Sequence, residues 1–202
     1  MQKLQPMLVR RFFGVLTTVL AITTFAVAQE APQRAAYVKI KNFGQMDDRF
    51  FRGAQPKTEA DYKALAALGI KTIIDLTDDP KEYEKPLVES LGMKYVHIPM
   101  IAKKYPTPAA TEAFLKTVND PSTGKFYLHC AGGRHRTGAM GAVYRYEFYN
   151  WDFDKVYQEM KQYDFYTSWG HGAFKDFVKD YQAKKQANNA NAAEAPQKDD
   201  KK

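Results

Sequence analysis

The 202-residue chain is 45% hydrophobic and 14% aromatic, enough to build one sizeable core; this excludes a fibrous or fully disordered protein and points to one domain with tails. Its formal charge of +7 falls to about +4 once residues 1–28, with Lys3, Arg10, Arg11 and no acidic residue, are set aside. That balance is too mild to call for a nucleic-acid partner.

Residues 1–28 read as a secretory signal: a basic start, an uncharged run over 12–27, and Ala26-Val27-Ala28 before Gln29. The expectation is export to the periplasm or the extracellular space with cleavage after Ala28. An uncleaved N-terminal anchor is the alternative, and only then would a membrane be a partner. Arg10-Arg11 hints at a twin-arginine signal, and the export route stays open.

Residues 29–36 read as a linker and 37–183 as the domain. Within it, residues 37–40 form the expected first strand, and 50–52 a second extended piece halted by Gly53 and Pro56. Thr58 with Asp61 three positions on opens a helix that carries Tyr62, Leu65 and Leu68 to a stop at Gly69. A β-branched run over 70–76, IKTIIDL, predicts a buried strand. The theme repeats as helix 80–91, strand 93–98, a loop with three prolines over 99–108, helix 108–118 and a short strand over 125–129. Helices are expected over 137–149, 153–162 and 173–183. This alternation predicts an α/β fold with a mostly parallel central sheet flanked by helices and a helical C-terminal part. The tail over 184–202 lacks aromatics and large aliphatics and is expected to be disordered.

The chain's one cysteine, Cys130, has no intramolecular partner, so in an oxidising compartment it is either a buried inert thiol or a reactive one. Its surroundings, HCAGGRHRTG over 129–138, favour reactivity. They fall between the end of a strand and the start of a helix, where an open α/β sheet places its ligand. Gly132 and Gly133 let successive backbone N–H groups turn inward into an anion nest, backed by the positive end of the following helix. Arg136 adds a guanidinium fork matched to two phosphate oxygens. The same field lowers a cysteine pKa from about 8.5 into a range of about 3.5 to 7.5, making Cys130 a nucleophile toward phosphorus. Thr137 offers a hydroxyl to the sulfur as a leaving group. His before the cysteine, Gly three positions after it, and Arg-Thr behind would coincide by chance on the order of once in 100,000 cysteines.

HCAGGRHRTG, with Phe51-Arg52-Gly53-Ala54-Gln55-Pro56, IKTIIDL and YVHIPM in order, resembles the cysteine-dependent protein tyrosine phosphatases, dual-specificity group. Nearest in character is the atypical plant, fungal and bacterial branch with an HC-x-x-G-K-H-R-T-G loop, some members of which hydrolyse inositol pyrophosphates. The resemblance implies Cys130 as nucleophile and Arg136 as phosphate clamp. Backbone donors would come from Ala131, Gly132, Gly133, Arg134, His135 and Arg136, with His129 and Thr137 supporting the loop. Neither metal nor cofactor is implied. The expected partner is a phosphorylated protein or a polyphosphorylated small molecule; the oligomeric state is left open.

Such enzymes carry an aspartic acid on the loop that here spans 99–108, and this loop holds none. Lys103 and Lys104 stand there instead, suiting a polyphosphorylated substrate or a good leaving group. Candidates for the proton donor are Asp78, Asp79, His135 and Asp164. Arg52 either lines the mouth of the cup or satisfies carbonyls at a turn. Two further readings remain: a phosphate- or polyanion-binding module with no working acid, and a rhodanese-like sulfurtransferase, which leaves Arg136-Thr137 unexplained.

Overall fold

The computed structural model describes residues 38–194; the expected signal, the 29–36 linker and residues 195–202 lie outside the described residues. Five strands form one sheet: β1 (Gly44–Gln45), β2 (Phe50–Ala54), β3 (Thr72–Asp75), β4 (Lys94–His97) and β5 (Phe126–Cys130). Their spatial order is β1-β2-β5-β3-β4, with β2, β5, β3 and β4 parallel and β1 antiparallel to β2. The last strand in sequence therefore lies between β2 and β3, and its C-terminal end opens where parallel sheets of this kind hold ligands.

Side chains alternate across a strand, and β5 shows what that does for the site. Phe126, Leu128 and Cys130 pack on the face covered by α3 (Pro108–Asn119) and α4 (His135–Tyr149), with Phe114 and Val143. Tyr127 packs on the opposite face with Tyr62 and Leu65 of α1 (Glu59–Ala67) and Val88 of α2 (Glu84–Ser90). Cys130 and His129, adjacent in sequence, thus face different layers. The remaining helices, α5 (Phe153–Gln162) and α6 (Gly172–Glu194), complete the Cys130 side through Val156, Met160, Phe174 and Val178.

Local signals place several of these elements. Thr58 Oγ1 accepts from the Asp61 amide at 3.2 Å while Asp61 Oδ2 accepts from the Thr58 amide at 2.9 Å, so the expected start of α1 is a reciprocal capping box. Helix α4 is buried from His135 to Tyr146, wedged between sheet and helices, and ends at Asn150 in the left-handed region with φ 51°.

Four expectations on element bounds are corrected. Val38–Ile40 carry no strand, and Tyr37 lies outside the described residues; Ile40 is buried, but the chain turns at Asn42 (φ 54°), so the edge strand forms at Gly44–Gln45 instead. Gly53 does not halt β2; it pairs within it opposite His129, because a Cβ there would overlap the Tyr127 hydroxyl. The helix expected over 80–91 begins only at Glu84, since Pro86 fits the first helical turn but would clash with the carbonyl four residues earlier inside a longer helix. Residues 184–194 are helical rather than disordered: they are rich in good helix formers, they extend a helix already anchored by packing, and Lys185 Nζ pairs with Glu147 Oε2 at 2.9 Å.

Candidate active site

Cys130, at 4% exposure, ends β5 at the floor of a cavity of about 210 Å³. The chain after it curls over Ala131–Arg134 and enters α4 at His135. Gly133 has φ 67°, and a side chain on it would overlap the backbone of Gly53 and Ala54, so the loop closes directly on β2. Two side chains fix it from outside. Arg52, buried under the Tyr163 ring at 4.1 Å, donates from Nη2 to the Gly133 carbonyl at 2.7 Å, and Asn42 Nδ2 donates to the Gly132 carbonyl at 2.8 Å. Burial lowers the Arg52 pKa to about 10, so it stays charged at neutral pH. Arg52 therefore braces the cup from behind and does not line its mouth.

Burial pushes the Cys130 thiol up, but the Thr137 hydroxyl, the Arg136 charge and the amides of Thr137 and Gly132 outweigh it and hold the thiol below its ordinary range. The Thr137 side chain is fully buried with no other partner for its hydroxyl. Arg136 uses only Nη1 for its bonds among the described residues, to Asp78 Oδ1 at 2.6 Å and the Met100 carbonyl at 3.0 Å. The Nε and Nη2 edge is left to form a fork toward an anion.

His129 lies behind the cup, fully buried. Its Nε2 is 2.8 Å from Glu84 Oε1 and its Nδ1 3.7 Å from Asp75 Oδ1. Burial disfavours the imidazolium, but the two carboxylates, Glu84 first, prevail and raise the His129 pKa. Glu84 also accepts from Gln55 Nε2 at 2.7 Å, and Asp75 accepts from Tyr95 and Thr77. The ends of β2, β3 and β5 are thereby joined beneath the loop. Asp75, Glu84 and His129 would also suit a cation by residue type; the short His129–Glu84 ion pair accounts for them without one.

The proposed proton donors separate. Asp78 touches Arg136 and accepts from the Ala102 amide at 3.1 Å, so both carboxylate oxygens are engaged; burial opposes its charge, but that amide and Arg136 hold its pKa below the usual carboxylate range. Asp79 turns outward to Lys81 at 3.0 Å. Asp164 is exposed and, with φ 59°, terminates α5 away from the cavity. His135 does line it, with Nε2 3.1 Å from the Tyr166 carbonyl; burial first, then the neighbouring His171, push its pKa down to about 4. Lys103 and Arg134 line the cavity, and Lys104 does not.

The cavity is also lined by Ala102 and by Tyr166, His171 and Phe174, the last three from the α5–α6 connection and the start of α6, which the sequence does not mark as site residues. Their only local signal is a histidine between two glycines ahead of a helix, in Trp169-Gly170-His171-Gly172, which names no chemistry by itself.

Several proteins that this chain is similar to are named as phosphatases. The chain is 25% identical over 129 residues to the protein OCA1 of Mycosarcoma maydis, covering 60% of this chain and 79% of that one. It is 26% identical over 133 residues to the inositol diphosphatase Siw14 of Saccharomyces cerevisiae, covering 62% of this chain but 46% of Siw14, under two thirds of its length. The solved catalytic core of Siw14 shares the fold with a TM-score of 0.59 at 20% identity, over 75% of this chain and 93% of the core. The crystal structure of PTPMT1 shares it with a TM-score of 0.58 at 16% identity, over 74% of this chain and 99% of that one. The family described as DSP-PTPase phosphatase fused to NAD+ kinase matches residues 21–195, a span that includes the whole sheet and the Cys130 loop. The chain belongs to that family and is a phosphatase of the cysteine-based, dual-specificity superfamily.

Proposed function

We propose that this phosphatase hydrolyses polyphosphorylated small molecules of the inositol polyphosphate class through a phosphocysteine on Cys130, without a metal ion. The observation that carries the reading is the pairing of a stabilised thiolate with a mouth lined by cations. Cys130 sits among anion-binding amides, while Lys103 and Arg134 face the same cavity with no carboxylate partner among the described residues. A cavity of about 210 Å³ has room for a phosphoryl group and part of the molecule that carries it, with these cations placed to meet further phosphates. The naming of Siw14 as an inositol diphosphatase supports the same substrate class.

In this mechanism Cys130 Sγ attacks phosphorus in line with the leaving oxygen, the S–P bond forming as the P–O bond breaks. Arg136 and the amides of residues 131–136 hold the equatorial oxygens as their charge redistributes. Asp78 positions Arg136 by fixing Nη1. Water then attacks the phosphocysteine, and Thr137 stabilises the departing thiolate. Export of the mature chain, with residues 1–28 as its signal, remains part of the proposal and rests on the sequence alone.

Purified protein assayed with an aryl phosphate and with an inositol polyphosphate tests this directly. Turnover is expected to persist in chelator and to vanish in Cys130→Ser. Activity that requires added metal, or that survives in Cys130→Ser, contradicts the mechanism; preference for phosphopeptides contradicts the substrate class.

A further inference from the structure

The cup has a nucleophile and a clamp, yet the group that protonates the leaving oxygen is absent from the loop expected to carry it. Among the described residues no carboxylate lines the cavity, and the one beside it, Asp78, has both oxygens engaged. Four side chains with a transferable proton face the cavity besides Cys130 and the arginines: Lys103 from the β4–α3 loop, His135 at the start of α4, and Tyr166 and His171 from the α5–α6 connection. The reaction needs a group that gives a proton to the leaving oxygen and then takes one from water. Histidine suits both tasks best, because its ring holds a donor and an acceptor nitrogen at once. His135 spends its Nε2–H on the Tyr166 carbonyl at 3.1 Å, and with its pKa pushed down to about 4 by burial and His171 its Nδ1 carries no proton to give near neutral pH.

His171 is left, and its setting differs. Its ring stacks on His135 with centroids 3.6 Å apart and 8° between planes, which fixes its orientation at the cavity wall. Its Nδ1 is closed off inside the protein, and its Nε2, which is not closed off, has no hydrogen-bond partner among the described residues. Nε2 is therefore the ring nitrogen left free to meet a substrate atom at the cavity wall.

We propose that His171 is the proton donor to the leaving oxygen in the first step and the proton acceptor from water in the second. This inference rests on the phosphocysteine reading. As Cys130 Sγ bonds to phosphorus, the P–O bond breaks and its electron pair goes to oxygen, which takes the proton from the His171 imidazolium. Neutral His171 then removes a proton from the water that attacks the phosphocysteine, and the S–P electron pair returns to sulfur. Burial first, then Lys103, Arg134 and Arg136, lower the His171 pKa in the free protein. A phosphate dianion in the cup offsets these cations, so substrate binding charges the imidazole where the proton is needed.

The test compares wild type and His171→Gln on a series of aryl and alkyl phosphates of graded leaving-group pKa. His171→Gln is expected to lose rate most on the poorest leaving groups, on the order of 10²-fold, with a steeper dependence on leaving-group pKa and loss of the high-pH limb of kcat/KM. An equal loss on every substrate, or an unchanged pH profile, overturns the proposal. So does a leaving-group and pH signature that moves instead in Asp78→Asn or His135→Gln. A measurement without any variant stands beside it: titration of His171 by NMR in wild type, free and with inorganic phosphate. A pKa that rises by at least about one unit on binding supports the role, and one that does not rise refutes it. Wild-type turnover abolished by Cys130→Ser but indifferent to His171 leaves the phosphocysteine reading standing; turnover that survives Cys130→Ser removes that reading itself.

Discussion

At the scale of single residues, function divides according to which way a side chain leaves its strand. Cys130 points to the α4 face and becomes the floor of the cup, whereas His129 points to the α1–α2 face and cannot reach a substrate. Its work is electrostatic and structural, as an imidazolium between Glu84 and Asp75 that ties three strand ends together. The sign of the pH effect follows. The folded His129 pKa is raised, so its stabilisation is complete below the ordinary histidine value and is lost as pH rises through the folded value. Although burial raises the Glu84 pKa, His129, Gln55 and Tyr62 together lower it more, so its contribution is present above the ordinary glutamate value and is lost as pH falls through the folded one. Glu84→Gln is expected to destabilise by about 1–3 kcal/mol and to flatten the decline of stability above the histidine range. Urea unfolding across pH checks this; a curve of unchanged shape would mean that His129 is neutral in the wild type.

At the scale of elements, the Cys130 loop is rigid because β2 and β5 meet it without intervening side chains. A Cβ on Gly133 would overlap the backbone of Gly53 and Ala54, so only glycine lets the loop lie this close to β2. Gly133→Ala combines a left-handed φ, costing about 1–2 kcal/mol, with displacement of the Gly53–Ala54 backbone. Because small misplacements of a reacting group are costly, kcat/KM on an aryl phosphate is expected to fall by about 10²-fold. Kinetics and thermal unfolding together check both effects; retention of wild-type kinetics would show that the loop tolerates displacement. The loop was legible in the sequence because its cysteine, glycines and arginine are contiguous over 130–136 and strand-to-helix context fixes their geometry. The α5–α6 connection was not: His171 lies 35 positions after Arg136 and reaches the cavity only through the packing of α6 on α4. The Asp75–Glu84–His129 cluster was hidden for the same reason, being assembled by strand pairing rather than spacing.

At the scale of the whole molecule, the sheet and helix alternation was legible from apolar strand runs and from one-sided helices such as α5, whereas α4, buried from His135 to Tyr146, carries no such stripe. The ends were less so: a two-residue edge strand has no period, and the polar helix over 184–194 looks like a tail until Lys185 meets Glu147. That extension is peripheral, since the ion pair is partly exposed and is worth under about 1 kcal/mol. A chain of residues 29–183 is expected to fold, with near wild-type kcat/KM and a modest loss of stability in urea; failure to fold would place the C-terminal extension within the domain's core. The central claim is chemical, and one trapping experiment reaches it. Wild-type protein turning over labelled substrate, quenched in acid within the first turnovers and digested, should yield label on the peptide that carries Cys130, in an acid-stable, iodine-labile bond. Turnover with no label on that peptide, or label on any other side chain, would contradict the account.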